Sequence, residues 1–322
     1  MTEEKKSFRK SILNKERLVK FAPIAGLLCV MAVFAILTNG KSLSKLNLEI
    51  LVNQFMMTAL AAIGMVYCFA CGALDMSAGG SLCLSAIAGT LAGVKSDSFV
   101  VMITVTVAVS FGIALIKGVL AAYLTLPVFI VTIILGSLLS AIGLVLLGDE
   151  TTISVRNLVS IKSMTVVNLI LILGFYTFAL IIFNYTKTGK ACKLQGGNSL
   201  ASGQSGINAK KNIIIAFLMG GVGIALAAII TILKTKTVTA ASGGSIGNDI
   251  LVAIVLGGMP LTGGPRSKIS AALIGTATIT ILNNGLSICN VSNDMIQIVR
   301  GIIFIIVVFI TSMAYRTKLL PR

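Results

Sequence analysis

Phe99–Leu124 reads FVVMITVTVAVSFGIALIKGVLAAYL, and Lys117 is its only charged side chain. A hydrocarbon layer ~30 Å thick asks for about 20 consecutive apolar residues from each spanning helix. Inside that layer the backbone must satisfy its own hydrogen bonds, which leaves helices or a closed barrel. Barrel strands alternate apolar and polar side chains. This stretch does not alternate, so it reads as a membrane helix.

Similar apolar runs extend on both sides, at 21–38, 48–71, 80–94, 127–147, 166–184, 213–233, 249–259, 269–288 and 296–315. Together they predict an all-α polytopic membrane protein with about ten transmembrane or part-membrane helices. Of the 322 residues, 56% are hydrophobic and 11% charged, and mean hydropathy is +1.02. A soluble globular chain carries about 25% charged residues, so a water-soluble fold is excluded. The run at 21–38 exceeds the ~7–15 residues of a signal-peptide core. It leaves through Asn39-Gly40-Lys41 and reads as an uncleaved first span.

The net charge of +16 sits at the ends of these runs. Segment 1–20 carries Lys5, Lys6, Arg9, Lys10, Lys15, Arg17 and Lys20. Threading the spans from a cytoplasmic N-terminus puts Lys187, Lys190, Lys193, Lys210, Lys211, Arg266, Lys268, Arg316, Lys318 and Arg322 on that same side. The outer side receives the smaller set of Lys41, Lys45, Lys95, Arg156, Lys162, Lys234 and Lys236. Basic residues collect in short cytoplasmic loops, so both termini are expected inside. The cations are topology anchors beside membrane lipid, and nucleic acid is not expected as a partner. Lys117 and Arg300, within spans, are expected to snorkel. The organisation reads as a basic cytoplasmic segment, 1–20, and one transmembrane domain, 21–322, with an outer loop at 148–165 and a basic, Gly/Ser-rich cytoplasmic loop at 185–212, whose helix-competent core near 198–207 reads as a solvated linker or a docking element.

With no histidine, the chain lacks the commonest acid–base group and metal ligand. Cys68 and Cys71 have CxxC spacing without a second pair, and with Cys29, Cys83, Cys192 and Cys289 they read as small hydrophobes. No metal, cofactor or catalytic residue is expected.

The chain also repeats a helix-breaking motif. Gly72-Ala-Leu-Asp-Met-Ser-Ala-Gly79 aligns with Gly257-Gly-Met-Pro-Leu-Thr-Gly-Gly264, and after a one-residue slip SAIAGT at 85–90 aligns with AALIGT at 271–276. Both motifs adjoin the shortest apolar runs. Paired interrupted segments in corresponding halves point to a transport pathway, because broken backbone at membrane depth needs protein or a wet cavity around it. Close helix packing is the competing explanation, since small residues also let membrane helices approach. Asp75 is read first as a helix cap and second as a solute contact, and its counterpart is Pro260. No GxxxxGK[ST] motif occurs, so nucleotide hydrolysis is expected from a partner.

Several segments in consistent order resemble the permease family of bacterial ATP-binding-cassette importers that includes the ribose, galactoside and xylose permeases. GALDMSAGG at 72–80 resembles that family's GGIDLSVGS, and LGGMPLTGG at 256–264 its IGGTSLSGG. LPVFIVT at 126–132 resembles IPPFIVT, and LNNGL at 282–286 is the family's LNNGL. Gly196-Gly-Asn198 followed by Ala201 and Ser205-Gly-Ile207 resembles its cytoplasmic GGN…A…SGI element.

The resemblance implies cytoplasmic ATP-binding subunits, a second permease subunit, an extracytoplasmic solute-binding protein and a place in the bacterial inner membrane. It implies that a sugar or similar small polar solute crosses by alternating access. It gives Asn198, Ala201, Ser205, Gly206 and Ile207 a role in coupling to the ATPase. Gly72, Asp75, Ser77, Gly79, Thr132, Gly258, Thr262, Gly264, Asn283 and Asn284 become candidates for the broken helices and the path. An acid usual after GGN is here Ser199, an Arg before SGI is Gly203, and an acid before Asp249 is Gly247. Nucleoside or branched-chain amino acid permeases, an ion-driven carrier or channel, and a non-transporting half of a heterodimer remain the alternatives.

Overall fold

The computed structural model describes residues 21–124, 126–159, 164–244 and 246–316, with side chains omitted at 164–165 and 310–316. The basic segment 1–20, Lys162, Lys318 and Arg322 lie outside the described residues. The helices are α1 (Phe21–Leu37), α2 (Lys45–Ala70), α3 (Ala78–Ser96), α4 (Phe99–Tyr123), α5 (Val128–Leu147), α6 (Met164–Tyr185), α7 (Lys187–Gly197), α8 (Ser199–Gln204), α9 (Ala209–Thr235), α10 (Ile246–Leu256), α11 (Ser270–Ile288) and α12 (Asn293–Arg316). Two short strands, β1 (Thr152–Ser154) and β2 (Thr237–Thr239), pair antiparallel with Ile153 opposite Val238.

Among the described residues, 7 helices are long and apolar enough to cross a membrane: α2, α3, α4, α5, α6, α9 and α11. Helices α1 and α10 are apolar but shorter. Helix α4, with its lone lysine, is capped by the Ser98 hydroxyl, which accepts the Val101 N–H at 3.4 Å. Asp97, in the left-handed conformation at φ 46°, closes α3 immediately before it.

Helices α2 and α9 form the centre, each with more than half of its most apolar stretch buried inside the protein. They cross where Gly64 meets Gly223, and a Cβ on Gly64 would stand 2.7 Å from Met219 O and 3.0 Å from Gly223 Cα. Lipid provides no hydrophobic drive between helices, so backbone contact through small residues gives the dispersion energy that holds them. The outward faces of α4, α5, α6 and α12 leave Ile116, Val145, Ile170 and Ile305 exposed, an apolar belt suited to acyl chains.

The structure corrects one expectation and adds detail to two others. Within 185–212, α8 occupies the helix-competent stretch near 198–207, and α7 is a second helix that the sequence reading did not place. Lys117 and Arg300 do not snorkel: Lys117 is paired with Asp75, and Arg300 with Asp249. The two breaks are unequal, since α2 and α3 are separated by 71–77 but α10 and α11 by 257–269. Gly72 is left-handed (φ 76°), whereas the second break turns at Gly258 (φ 88°), Gly263 (φ 70°) and Gly264 (φ 95°).

Candidate functional site: two helix breaks and their joint

The first break is a closed polar knot. Asp75 Oδ1 accepts the Ser77 N–H at 2.8 Å and the Ser77 hydroxyl at 2.6 Å, which turns the chain into α3. Asp75 Oδ2 accepts Lys117 Nζ from α4 at 2.7 Å, and Nζ also donates to Ser81 Oγ at 3.0 Å. The Lys117 and Asp75 side chains are 2% and 1% exposed. Thr132 on α5 accepts the Met76 N–H at 3.1 Å, and its hydroxyl lies 3.2 Å from Leu74 O and 3.0 Å from Phe129 O.

Every polar atom of the Asp75 side chain is therefore committed to the protein. Its carboxylate turns the chain into α3 and anchors α4. A buried ion pair costs several kcal/mol per ion in desolvation and is tolerated only when the remaining hydrogen bonds are met. Here they are met, so the pair specifies one docking of the break against α4.

Gly79 starts α3 beneath the turn before α10, where a Cβ would stand 3.0 Å from Gly243 O. A Cβ added to Gly112, on α4, would meet no atom within 4 Å. Replacing Gly79 by leucine is therefore expected to cut transport about tenfold or more, at ~1–3 kcal/mol for overpacking. Gly112→Leu should leave it near wild type, and equal loss in a side-by-side uptake assay would reduce both glycines to generic packing.

The second break reaches the first directly. The Gly264 N–H donates to Ala70 O, the last residue of α2, at 3.0 Å. A Cβ on Gly72 would stand 3.2 Å from Thr262 O. Gly258 faces α1, where a Cβ would meet Pro23 Cγ at 2.7 Å. The end of α7 packs into the same junction: a Cβ on Gly196 would collide with Ala70 O and stand 2.7 Å from Gly264 N, and one on Gly197 would stand 2.9 Å from Pro265 Cδ. Both breaks and α7 thus meet in one joint, backbone against backbone.

Asn212 at the start of α9 ties the joint together. Its Nδ2 donates to Gln195 Oε1 of α7 at 2.6 Å and lies 3.5 Å from Cys71 Sγ, while its Oδ1 lies 3.6 Å from Cys192 Sγ. Lys193 extends from α7 to Asn184 Oδ1 at 3.0 Å, over the Phe183 ring at 4.3 Å from the centroid. Partial burial there lowers its ammonium pKa below the usual value.

The coupling candidates form one capped turn. Asn198 Oδ1 accepts the Ala201 N–H at 3.0 Å and starts α8. At the other end Gly206 is left-handed (φ 78°). Its N–H donates to Gly203 O at 3.0 Å and the Ile207 N–H to Ser202 O at 3.1 Å, the paired bonds of a Schellman close. Ser205 Oγ donates to Ala201 O at 3.0 Å. This explains why Ser-Gly-Ile follows a helix containing Gly203: the end bonds offset the weak propensity. Leu200 projects from this helix 83% exposed.

Asn283 and Asn284, adjacent on α11, do different things. Asn284 and Asn47 of α2 exchange carboxamide bonds at 2.9 Å in both directions, a clamp between the helices. Asn283 lines a groove between α2, α10 and α11. Lys117, Gly196 and Asn212 were missing from the candidates read out of the sequence. A cation inside an apolar run was the visible signal for Lys117, but its partner depends on the α3–α4 hairpin.

Known proteins share this sequence over most of its length. The family model described as branched-chain amino acid transport system / permease component matches residues 47–308. The ribose import permease protein RbsC of Escherichia coli K12 is 27% identical over 274 residues, covering 82% of this chain and 85% of that one. RbsC of Bacillus subtilis is 27% identical over 319 residues, covering 96% and 98%. The galactose/methyl galactoside import permease protein MglC of Escherichia coli K12 is 26% identical over 341 residues, covering 96% and 99%. No solved structure matches the chain.

Proposed function

We propose, because this chain belongs to the branched-chain amino acid transport system / permease component family, that it is the membrane-spanning subunit through which an ATP-binding-cassette importer carries a sugar. Membership makes it a multi-pass transport subunit of the bacterial inner membrane, and the family works with ATP-binding subunits and a solute-binding protein. The relatives named for ribose and galactose span nearly the whole chain, and they favour a sugar over an amino acid.

The observation that carries the mechanism is the joint. Helix α7, which leads directly into α8, is in direct contact with both breaks. Movement imposed on α8 by an ATPase is transmitted there without an intervening flexible segment. The chain supplies no nucleotide site of its own and acts as a transport subunit. Its path runs beside the broken helices, against a second permease subunit, with both termini cytoplasmic, and α1, α10 and α12 join the 7 long apolar helices to make about ten membrane or part-membrane helices.

Three experiments test this. Purification from detergent-solubilised membranes should bring down an ATP-binding subunit, and a complex lacking any ATPase would argue against the reading. Gly206→Pro removes the N–H bonded to Gly203 O and forbids a positive φ, so α8 loses its close. Membrane insertion should persist while co-purified ATPase and uptake fall about tenfold or more, at ~3 kcal/mol for a misplaced proline. Unchanged uptake would remove α8 from the coupling role. Glu150→Cys should label from outside the cell and Leu200→Cys from the cytoplasm alone.

A further inference from the structure

We propose that the groove between α2, α10 and α11 is a hydrogen-bonding subsite for a neutral polyol, a contact made within a single permease chain. The inference rests on the sugar-import reading above and adds where the sugar touches the protein.

The groove has a volume of about 350 Å³, toward the small end of the ~300–1,000 Å³ of small-molecule sites. Its polar lining includes Gln54 from α2, Ser242 from the turn before α10, and Thr280, Asn283 and Ser287 from α11. Met57 and Ile279 supply apolar surface beside them. Hydroxyls and carboxamides interrupted by aliphatic surface match a sugar, which presents hydroxyl edges and C–H faces.

Asn283 Oδ1 is buried with no hydrogen-bond partner in the protein. Leaving such an acceptor unmet costs ~1–3 kcal/mol, and Asn283 lines the groove, so rotation of its carboxamide would present the oxygen to a ligand hydroxyl. The adjacent Asn284 shows the contrast, since its carboxamide is fully engaged with Asn47.

The charge at the groove also selects against ions. Asp249 is the one charged residue in the lining, and it is paired with Arg300 of α12. A zwitterionic amino acid needs a counter-charge at each end, whereas Asp249 already has Arg300 as its counter-ion. A neutral polyol needs neither.

The test uses the chain reconstituted with its ATP-binding subunits, with Cys29 and Cys289 changed to serine. Thr280→Cys, or Ser287→Cys should the first not assemble, is labelled by a methanethiosulfonate reagent with and without ribose or galactose. At ten times its dissociation constant a bound sugar should slow labelling about tenfold, and leucine should not. In uptake, Asn283→Leu should raise KM about tenfold, and Asn283→Gln should raise it less. Labelling unaffected by sugar in a complex that still transports it would overturn the subsite and leave the importer reading standing. Protection by leucine instead of sugar would also overturn it. A wild-type complex that transports no sugar would remove the sugar reading and the subsite together.

Discussion

Gly196→Val in α7 is expected to reduce solute uptake by roughly 10- to 100-fold while the protein still reaches the membrane, taking overpacking at ~1–3 kcal/mol and about 1.4 kcal/mol per tenfold. The added atoms collide with Ala70 O and fall 2.7 Å from Gly264 N. They therefore split the bond between Gly264 N–H and Ala70 O that joins the two breaks. The loss should appear in uptake per ATP hydrolysed, because the joint lies between α8, the proposed ATPase contact, and the breaks. Gly203→Ala is the control: no atom lies within 4 Å of its added Cβ, and alanine favours helix by ~1 kcal/mol. It should be neutral or slightly stabilising. If Gly196→Val transports normally, the breaks are not driven through α7.

Lys117→Met should be equally damaging, by another route. It leaves the Asp75 carboxylate buried and without its cation, a change that costs about 3–5 kcal/mol. Much less folded protein should survive detergent extraction and heating. Adding Asp75→Asn should recover most of the loss, because asparagine can still accept the Ser77 N–H now bonded at 2.8 Å, and methionine fills the volume of the lysine stem. A double variant no better than the single one would mean that Asp75 serves something other than holding the break to α4. Solute contact was the second role suggested for Asp75, and the rescue distinguishes the two: a structural pair recovers uptake with stability, while a solute ligand recovers stability alone.

The features legible in the sequence were those written locally. Helices α4 and α5 fall almost where their apolar runs place them, since hydropathy over about 20 residues is enough to specify a span. The breaks were visible because Gly72, Gly258 and Pro260 interrupt otherwise apolar runs. Helix α7 was not visible. Its sequence, KTGKACKLQGG, contains three glycines and no apolar stripe, and it is held by contacts from elsewhere: Gln195 by Asn212, and Cys192 buried beside the same residue.

Pairings across long separations were likewise hidden. Asp75 lies 42 residues from Lys117, and β1 meets β2 across α6 to α9. Nothing periodic in the chain marks such partners. The unequal breaks have a local cause, however. Asp75 turns the chain within two residues through Ser77, whereas Pro260 in its place has no such side chain. The second break instead runs through three left-handed glycines before α11 begins.

The most direct measurement is uptake of labelled ribose or galactose by proteoliposomes holding this chain, its ATP-binding subunits and its solute-binding protein. The account predicts uptake that requires ATP on the ATPase side and stops when the ATP-binding subunits are left out. Uptake driven by an ion gradient, with no ATPase present, would contradict it.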